Sequence, residues 1–416
     1  MREIRKLEGA DLVDLLPIVR DAFPAKDIAE AEAQKAYLQT LLEELEDPTI
    51  EFYGLYQDHR LLGGMRLTQY EMNLRSVQIP VGGVGLVAVG FADKRLGVGS
   101  QLIEFFLEYN KAQGRPLALL YPFRTDFYKK MGFGYGTKMN QYRLEPAQFP
   151  LGSTKKHIRF LTADDKEQLM ACYHRYQSTR NGLLKKTALA VDRLFADPEN
   201  RIVGYVKDDS LGGYLVFNLH QPDPANPFFT DMILKELVYT DAAARDELFT
   251  FLYSQRDQIN RVIYNTQEEY FHFLFDDPRN GSNHIMTHLS HETNVSGLGL
   301  MYKVLDGALL FRFLQNYNFG GVSCRVLFNI SDPFPAPTTQ QLRIDFIQGR
   351  PHLDPTDPAE VEVTLGISEF SSLLVGSVDF LTLHRYGLAT ISDPSYLPQV
   401  DRLFWTPEKP ICTTTI

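Results

Sequence analysis

Hydrophobic positions in the first third of the chain follow strand-like and helix-like periods in turn, which predicts a mixed α/β fold. A polar break at residues 57–60 separates two apolar runs and predicts a hairpin. A β-branched run at residues 84–89 then leads through a short turn into an amphipathic stretch. The predicted elements are strand 2–6, helices within 10–46, strands 51–56, 61–73 and 84–89, helix 100–113, strand 116–121, helix 125–131 and a final strand near 138–145.

The next segment repeats this order of elements. Residues 203–216 resemble residues 53–67, with a polar turn between two apolar runs in each. The period of about 150 residues indicates a duplicated domain and not a solenoid. The repeat predicts a strand at 157–161, helices at 163–178 and 187–195, a hairpin of 202–207 and 213–219, a strand at 233–239, a helix at 242–258, and strands at 261–264 and 284–289.

A third segment begins near residue 300 and has a different pattern. Residues 327–330, 341–348 and 361–365 alternate like antiparallel strands. We expect Ser368 to cap a helix that ends before Gly376. The pair Asp393-Pro394 has the order of an N-cap followed by a first-turn proline, which predicts a last helix to about Phe404.

Composition bounds the class of protein. The chain has 416 residues, 44% of them hydrophobic and 23% charged, so two to four globular domains are expected at about 100–200 residues each. No signal peptide is visible, and no apolar run approaches the ~20 residues of a membrane span. Cys172, Cys324 and Cys412 show neither disulfide nor metal spacing, which favours the reducing cytoplasm. The net charge of −10 argues against a nucleic-acid partner.

The most informative motif lies between the β-branched strand and the amphipathic helix. The turn there reads Lys94-Arg95-Leu96-Gly97-Val98-Gly99. A strand, a glycine turn and a helix N-terminus together bind phosphate through backbone N–H groups and the helix dipole. The turn is not a P-loop, because no Lys-Ser/Thr pair follows, and its basic-x-x-Gly-x-Gly order is not the Rossmann spacing.

This turn resembles the GNAT superfamily of acetyl-coenzyme A-dependent N-acetyltransferases. The resemblance is strengthened by Phe127-Tyr128-x-x-Met131-Gly132-Phe133, about thirty residues later. Lysine stands where the family usually has Arg or Gln. The resemblance implies acetyl-coenzyme A as cosubstrate. The residues it implies for coenzyme binding are Val87, Ala88, Val89, Lys94, Arg95, Gly97, Val98, Gly99 and Ser100.

The second copy lacks this turn. Its counterpart runs from Thr240 to Asp246 with no glycine and two acids, so we expect it to bind no coenzyme. The third segment resembles a sterol-carrier-like module. The whole order resembles the Eis (enhanced intracellular survival) acetyltransferase family. That resemblance implies a homo-oligomer, a hexamer in the family, and three domains: a catalytic GNAT domain at 1–150, a degenerate one at 151–297 and the sterol-carrier-like domain at 298–416.

The resemblance also implies two catalytic groups. Tyr128 is expected to be the general acid that protonates the leaving thiolate, whereas Tyr135 is expected to be structural. The α-carboxylate of Ile416 corresponds to the family's general base and would act through position, or through a water, because an unperturbed α-carboxylate has a pKa of ~3.5. This sequence has isoleucine where an aromatic residue is usual. The alternative is a frayed terminus with no role.

An acidic stretch follows the first predicted helix. Eight acids lie between residues 26 and 51 against two lysines. This stretch is typical of a solvated helix face, and the alternative is an anionic wall that attracts a cationic amine. Phe23, Asp27 and Glu30 fall in the region that lines the amine pocket in the resembling enzymes. They are candidates for a small-molecule or peptide amine, such as an aminoglycoside, a polyamine or a lysine side chain.

Two further interpretations remain open. His284, His288 and His291 would share one face of a helix and could bind zinc, but the apolar residues between them favour a strand that breaks this geometry. We therefore expect no metal. A protein of another class, a non-catalytic lipid-binding protein using the cavity of the third segment, is the alternative to an acetyltransferase. The intact turn at 94–99 argues against it.

Overall fold

The computed structural model describes residues 1–26, 28–226, 228–414 and 416. The chain folds into two compact units. The first comprises Met1–Gly136, Leu300–Pro407 and Ile416, and the second comprises Thr137–Gly299 and Glu408–Thr414. Each unit combines segments that are distant along the chain, so these units do not test the predicted division into three consecutive domains, which stays a prediction. Across the described parts of the chain, no helix combines the length and the apolar composition that crossing a bilayer needs.

The first part of the first unit follows the predicted order. The turn at 57–60 is confirmed, and Asp58 and His59 both have positive φ angles, 50° and 67°, as a tight two-residue hairpin turn requires. Its elements are β1 Arg2–Lys6, α1 Asp11–Ala22, α2 Ala31–Glu46, β2 Ile50–Gln57, β3 Arg60–Leu74, β4 Val77–Val89, α3 Val98–Ala112, β5 Leu117–Leu120, α4 Thr125–Lys129 and β6 Gly134–Tyr135.

The second unit is built around one seven-stranded sheet. Its elements are β7 Lys138–Leu144, β8 Ile158–Phe160, α5 Lys166–Thr179, α6 Ala188–Ala196, β9 Arg201–Lys207, β10 Ser210–His220, β11 Asp231–Tyr239, α7 Ala242–Tyr253, β12 Arg261–Thr266, β13 Ile285–Met286, β14 Ser290–His291 and β15 Asn294–Leu298. The strand order is β15-β7-β12-β11-β10-β9-β8. The predicted strand near 138–145 therefore exists, but it pairs in this sheet and does not close the first one.

Two other predictions in this unit were wrong in extent. The helix expected to reach residue 258 ends at Tyr253, and hydrogen-bonded turns over residues 254–258 follow before β12. The strand expected over 284–289 is confined to Ile285–Met286, because residues 287–289 form a 3₁₀ turn in which His288 has a φ of 60°.

The rest of the first unit comprises one strand that joins the first sheet, a separate five-stranded sheet and four helices. Its elements are β16 Met301–Val304, α8 Gly307–Phe313, β17 Cys324–Asp332, β18 Thr338–Ile347, β19 Arg350–Leu353, β20 Val361–Gly366, α9 Ile367–Val375, α10 Phe380–Arg385, β21 Ala389–Ile391 and α11 Leu397–Phe404. The strand order is β19-β18-β17-β20-β21. The expectation of antiparallel strands holds for β17 with β18, but β20 pairs parallel to β17.

For α9, the predicted C-terminal end is confirmed, whereas the predicted N-cap is wrong. Gly366, and not Ser368, is the N-cap of α9, and Ser368 is buried inside the helix. Gly376 ends α9 in the left-handed conformation with a φ of 89°, as predicted. Asp393 accepts a hydrogen bond from the Ser395 N–H and caps a 3₁₀ turn that leads into α11.

The first sheet is completed by a strand from far along the chain. Its order is β1-β2-β3-β4-β5-β16-β6, so β16 takes a place between two strands of the N-terminal segment. Two buried clusters lie on the sheet's opposite faces. One contains α3 residues with Val84 and Tyr128, and the other contains residues of α1 and α2 with Ala88.

Candidate active site

The glycine turn presents the start of α3 to solvent. Residues 94–97 are exposed, and Gly97 is the N-cap of α3 with a φ of 79°. This left-handed conformation favours glycine, which explains why the turn carries one here. Helix N-termini have backbone N–H groups without intrahelical partners, so this turn offers donors to an anion.

A buried carboxylate just before the turn is bound by an arginine of β3. Asp93 is 4% exposed and accepts hydrogen bonds from both terminal nitrogens of Arg60, at 2.6 and 2.9 Å. Arg2 adds a hydrogen bond to the Leu96 carbonyl at 2.8 Å. Lys94 and Arg95 therefore remain as the exposed cations, with the Lys94 ammonium 4.0 Å from the centre of the Phe91 ring. Sequence reasoning missed Arg60 and Asp93.

Strand β4 is open along one edge beside this turn. It pairs with β3 from Val77 to Val89 but with β5 only over Val81–Gly83. A bulge opposite Met65, between the Gly64–Ala88 and Arg66–Gly85 pairs, contains Leu86 with a φ of 52° and bends the last part of β4. The backbone of residues 87–89 therefore has an edge that no described strand covers. An extended chain with amide groups, such as the pantetheine arm, can pair with such an edge.

Tyr128 lies in the same buried cluster as this part of β4. The cluster contains Val84 and Val98, with Val87 packed against it. The ring of Phe127 bridges to the turn, since its Cζ lies 3.6 Å from the position of a Cβ at Gly99. Burial raises the pKa of Tyr128 to about 12, so its hydroxyl stays protonated at neutral pH. The hydroxyl makes no hydrogen bond with any residue that the structure describes.

The motif after Tyr128 positions its helix. The Tyr128 carbonyl accepts from the N–H groups of Met131 and Phe133, which ends α4. Gly132 has a φ of 85°, and a Cβ there would lie 2.7 Å from Ile367 Cγ2 and 2.9 Å from Lys303 Nζ. A glycine is therefore required at this close approach. Tyr135 is half-buried in β6, and its carbonyl accepts from Ser372.

Ile416 lies on β4 at the point where β5 diverges. A Cβ at Gly85 would come within 2.9 Å of both the carbonyl carbon and the oxygen of Ile416. A Cβ at Gly83 would come within 3.0 Å of its side chain. Ile416 is 9% exposed, so it is packed and not frayed. The two glycines provide the space that this residue fills.

A buried ion pair lies beside Ile416. Arg66 is the cross-strand neighbour of Gly85, and its Nη1 donates to Glu44 of α2 at 2.8 Å. The Nη2 atom of Arg66 lies 3.2 Å from the same Cβ position at Gly85 that approaches Ile416. Glu44 is 3% exposed, and burial together with the Glu44 charge raises the pKa of Tyr37 to about 12. Sequence reasoning did not single out Arg66, although its position opposite a strand glycine is a usable signal.

The structure does not bring the predicted acceptor residues Phe23 and Glu30 together in one site. Phe23 ends α1 and packs partly buried against the cluster that contains Leu41. Glu30 is exposed at the start of α2, and its side chain does not cap the helix. Asp27 lies outside the described residues. Their roles stay predictions.

The corresponding positions of the second unit differ. Asp241 caps α7, and its carboxylate accepts from the Ala244 N–H at 2.9 Å, where the first unit leaves helix donors exposed. That negative charge would repel a phosphate. His284 and His291 lie on a two-stranded hairpin and not on a helix, and His284 contacts Glu292 at 3.0 Å. Among the described residues, no group of three His, Cys, Asp or Glu could hold a metal ion.

Known domain families match all three segments. A GNAT acetyltransferase domain matches residues 3–136, a second GNAT acetyltransferase domain matches residues 179–291, and a sterol carrier protein domain matches residues 310–413. The chain therefore consists of tandem GNAT domains and a C-terminal sterol-carrier-like domain, and the predicted fold class is confirmed. GNAT domains bind acetyl-coenzyme A as cosubstrate, and these matches support an acyltransferase.

Similar proteins agree with this assignment. An uncharacterized N-acetyltransferase from Streptomyces avermitilis is 26% identical over 243 residues, which is 54% of this chain and 58% of that protein. Solved structures similar over 100% of both chains include a GCN5-related N-acetyltransferase from Anabaena variabilis (TM-score 0.81, 14% identity), a probable N-acyltransferase from Enterococcus faecalis (0.81, 18%) and Eis1 from Mycobacterium abscessus (0.73, 18%). At these identities the structures show the fold alone.

Proposed function

We propose that this protein is an Eis-like N-acetyltransferase that transfers the acetyl group of acetyl-coenzyme A to a primary amine of a polycationic acceptor. The observation that carries the proposal is the open edge of β4 beyond Gly83. The exposed turn at the start of α3 follows that edge along the chain, and Val87 at the edge packs against the buried cluster that contains the protonated Tyr128. Ile416 lies against the same strand at Gly85.

The described residues fit the cosubstrate at both of its polar parts. The N–H groups at the start of α3 bind the pyrophosphate, and Lys94 and Arg95 add positive charge. The pantetheine amides pair with the free edge of residues 87–89. A backbone N–H of this strand donates to the acetyl oxygen as negative charge develops there, and one such donor is commonly worth ~3 kcal/mol.

Proton transfers complete the reaction. The neutral amine nitrogen forms a bond to the acetyl carbon, and the carbon–sulfur bond breaks. The α-carboxylate of Ile416 accepts the proton that the amine loses, directly or through a water. Tyr128 donates a proton to the departing sulfur. Burial raises the pKa of Tyr128 to about 12, which keeps the phenol protonated at neutral pH but makes it a weaker acid than a thiol of pKa ~8.5, so this transfer depends on the position of the phenol and not on its acidity.

A polycationic acceptor is favoured by the charge of α2. Its exposed positions include Glu32, Glu43 and Glu46, and the chain as a whole carries a net charge of −10. An anionic surface raises the local concentration of cations. Aminoglycosides, polyamines and lysine peptides share this charge. By the same family resemblance we expect a homo-oligomer.

The proposal is tested by thiol release from acetyl-coenzyme A across a panel of aminoglycosides, polyamines and lysine peptides. Turnover selective for one amine class is the expected result. Coenzyme binding without turnover on any of these amines would contradict the proposed reaction and leave the fold assignment intact.

The base is tested separately by extending the chain. One glycine added after Ile416 should lower kcat about 100-fold, because it moves the carboxylate by more than an ångström, while the KM for acetyl-coenzyme A stays unchanged. The control is Ile416→Val, which keeps the chain length and places a smaller side chain in the space beside Gly83, and it should retain the rate within a few-fold. Intact mass confirms the last residue in each preparation. An unchanged kcat in the extended chain would show that the carboxylate is not the base.

The alternative of a lipid carrier has less support. The interior of the third segment is filled by buried, mutually packed rings, namely Phe311, Phe319, Phe328, Phe346, Phe370 and Phe404. A described surface cavity of about 500 Å³ beside β17 lies outside this packed interior, and polar residues such as Ser331 and Glu369 line it together with Pro333, Pro337 and Ile367. A lipid that co-purifies with a protein unable to bind acetyl-coenzyme A would favour this alternative.

A further inference from the structure

The segment Glu408–Thr414 packs within the second unit without regular secondary structure. The Ile411 N–H donates to the Asn181 carbonyl at 2.8 Å, and the Asn181 side chain donates to the Glu408 carbonyl at 3.2 Å. The Cys412 N–H donates to the Gln267 side chain at 2.5 Å. The side chains of Asn181 and Gln267 therefore hydrogen-bond to the backbone of this peptide, which fixes the residue that lies opposite each of them.

The partners of this peptide are themselves buried. Gln267 is 4% exposed and also donates to the Thr137 carbonyl at 3.0 Å, so both ends of its amide are used. Asn181 is 7% exposed, and Cys412 is 2% exposed. Buried amides with both ends bonded hold one orientation, because any other leaves polar groups unpaired.

Close packing and two ion pairs add to the hydrogen bonds. A Cβ at Gly182 would lie 2.7 Å from Pro410 and 2.8 Å from the backbone of Ile411, so the two chains approach as closely as glycine allows. Arg180 pairs with Glu408 at 3.0 Å, and Lys409 pairs with Glu269 at 2.9 Å. The side chain of Ile411 packs on the cluster that contains Tyr173 and Leu183.

The location of this binding site follows from the domain repeat. Asn181 and Gly182 lie between α5 and α6, which is where the first GNAT domain has the α1–α2 connection with the candidate acceptor residue Phe23. Gln267 follows β12, the counterpart of β5. The second GNAT domain thus holds a peptide of its own chain with the elements that flank the candidate acceptor region in the first.

We infer that the degenerate GNAT domain is a peptide clamp, and that Asn181 and Gln267 are positioning residues for the catalytic end of the chain. Ile416, which lies against Gly85, follows Thr414 by only two positions. Consecutive Cα atoms are ~3.8 Å apart, so fixing residues 411–414 restricts the positions that Ile416 can reach. The positioning role rests on the proposed acetyl transfer, whereas the clamp itself does not.

The clamp is tested by the reactivity of Cys412. Maleimide labelling of the full-length protein, followed by peptide mass mapping, should be slow at Cys412 in the wild type and at least about tenfold faster in Gln267→Leu, because the peptide is released. Gly182→Ala is a second variant that displaces the peptide by a different contact. The control is Gln258→Leu at an exposed position of the same unit, and Cys324 serves as the internal reference. Unchanged Cys412 labelling in both variants would overturn the clamp.

The positioning role is tested by kinetics on the same proteins. Gln267→Leu should lower kcat about tenfold with an unchanged KM for acetyl-coenzyme A, and it should have no further effect once the added C-terminal glycine has already displaced the carboxylate. Faster Cys412 labelling with an unchanged kcat would overturn positioning and keep the clamp. If the wild type acetylates no amine, the proposed function fails, while the labelling result still decides the clamp.

Discussion

Gly85 provides the space that Ile416 occupies. The methyl group of an alanine at position 85 would lie 2.9 Å from both the carbonyl carbon and the oxygen of Ile416, closer than unbonded atoms normally approach. The neighbouring Arg66 guanidinium, held by Glu44, leaves little room for Ile416 to move within its site. Gly85 therefore affects the position of the proposed catalytic carboxylate as well as the packing of the strand.

We predict that Gly85→Ala lowers kcat by about 10–100-fold, because it displaces the end of the chain by roughly an ångström. The KM for acetyl-coenzyme A should change little, since the turn at the start of α3 is untouched. The matched control is Gly297→Ala, where a Cβ would meet no atom within 4 Å. Steady-state kinetics decide the matter, and equal kcat values in the two variants would contradict a role for Ile416.

The acid is predicted to be Tyr128. Tyr128→Phe should lower kcat about 10²-fold or more, because the leaving thiolate loses its proton donor, while the affinity for acetyl-coenzyme A is kept. The control is Tyr135→Phe, whose ring is half-buried and whose carbonyl, not its hydroxyl, contacts Ser372. A full kcat for Tyr128→Phe at saturating amine would exclude it as the acid.

The pH dependence gives an independent check on Tyr128. Burial disfavours the charged phenolate and raises the pKa of Tyr128 to about 12, so the proton needed for catalysis is present up to that pH. We therefore expect no decline of kcat between pH 7 and about pH 10 from ionisation of this residue. A fall in wild-type kcat with an apparent pKa below 10 that is absent in Tyr128→Phe would contradict the buried environment.

The coenzyme turn should depend on the Arg60–Asp93 pair. Asp93 is 5% exposed at its side chain and Arg60 is 62% exposed, so removing the arginine leaves a buried carboxylate without its partner. We predict that Arg60→Gln raises the Kd for coenzyme A about 5–10-fold, measured by calorimetry. The control is Arg124→Gln, which removes an exposed pair with Asp126. Equal affinities would show that the turn is held by its backbone alone.

The sequence predicted most of what depends on neighbours along the chain. The order of strands and helices, the tight turn at Asp58 and His59, and the exposed glycine turn before α3 all follow from local patterns. Local patterns do not encode which sheet a strand joins. Strand β7 pairs with β12, and β16 inserts beside β5, because pairing depends on surfaces that form only when distant segments meet.

Local patterns also fail to predict the contacts between distant residues at the candidate active site. The residues of the turn and Tyr128 belong to motifs, so they could be named from the sequence. Arg66 and Glu44 meet across 22 residues, and Gly85 meets Ile416 across most of the chain, so neither contact leaves a periodic signal. The clamp residue Gln267 bonds Cys412 across 145 positions. Strand β4 carries three glycines, Gly82, Gly83 and Gly85, and glycine inside a strand is the one local signal of a close approach there.

The last prediction concerns stability of the first unit. Arg75, 3% exposed, donates from Nε to the Leu374 carbonyl and from Nη2 to the Phe404 carbonyl, each at 3.0 Å. These carbonyls lie at the C-terminal ends of α9 and α11, where a cation also meets the negative end of the helix dipole. Burial lowers the pKa of Arg75, but a guanidinium remains charged at neutral pH.

We predict that Arg75→Leu reduces the free energy of unfolding by about 3 kcal/mol, because two buried carbonyls lose their donor. Denaturant titration measures this change, with Arg343→Leu at an exposed position of β18 as the control. Arg75→Lys should recover only part of the loss, since one ammonium lacks the fork that reaches both carbonyls. A loss below 1 kcal/mol in Arg75→Leu would mean that hydrophobic packing, and not this guanidinium, joins the β3–β4 turn to α9 and α11.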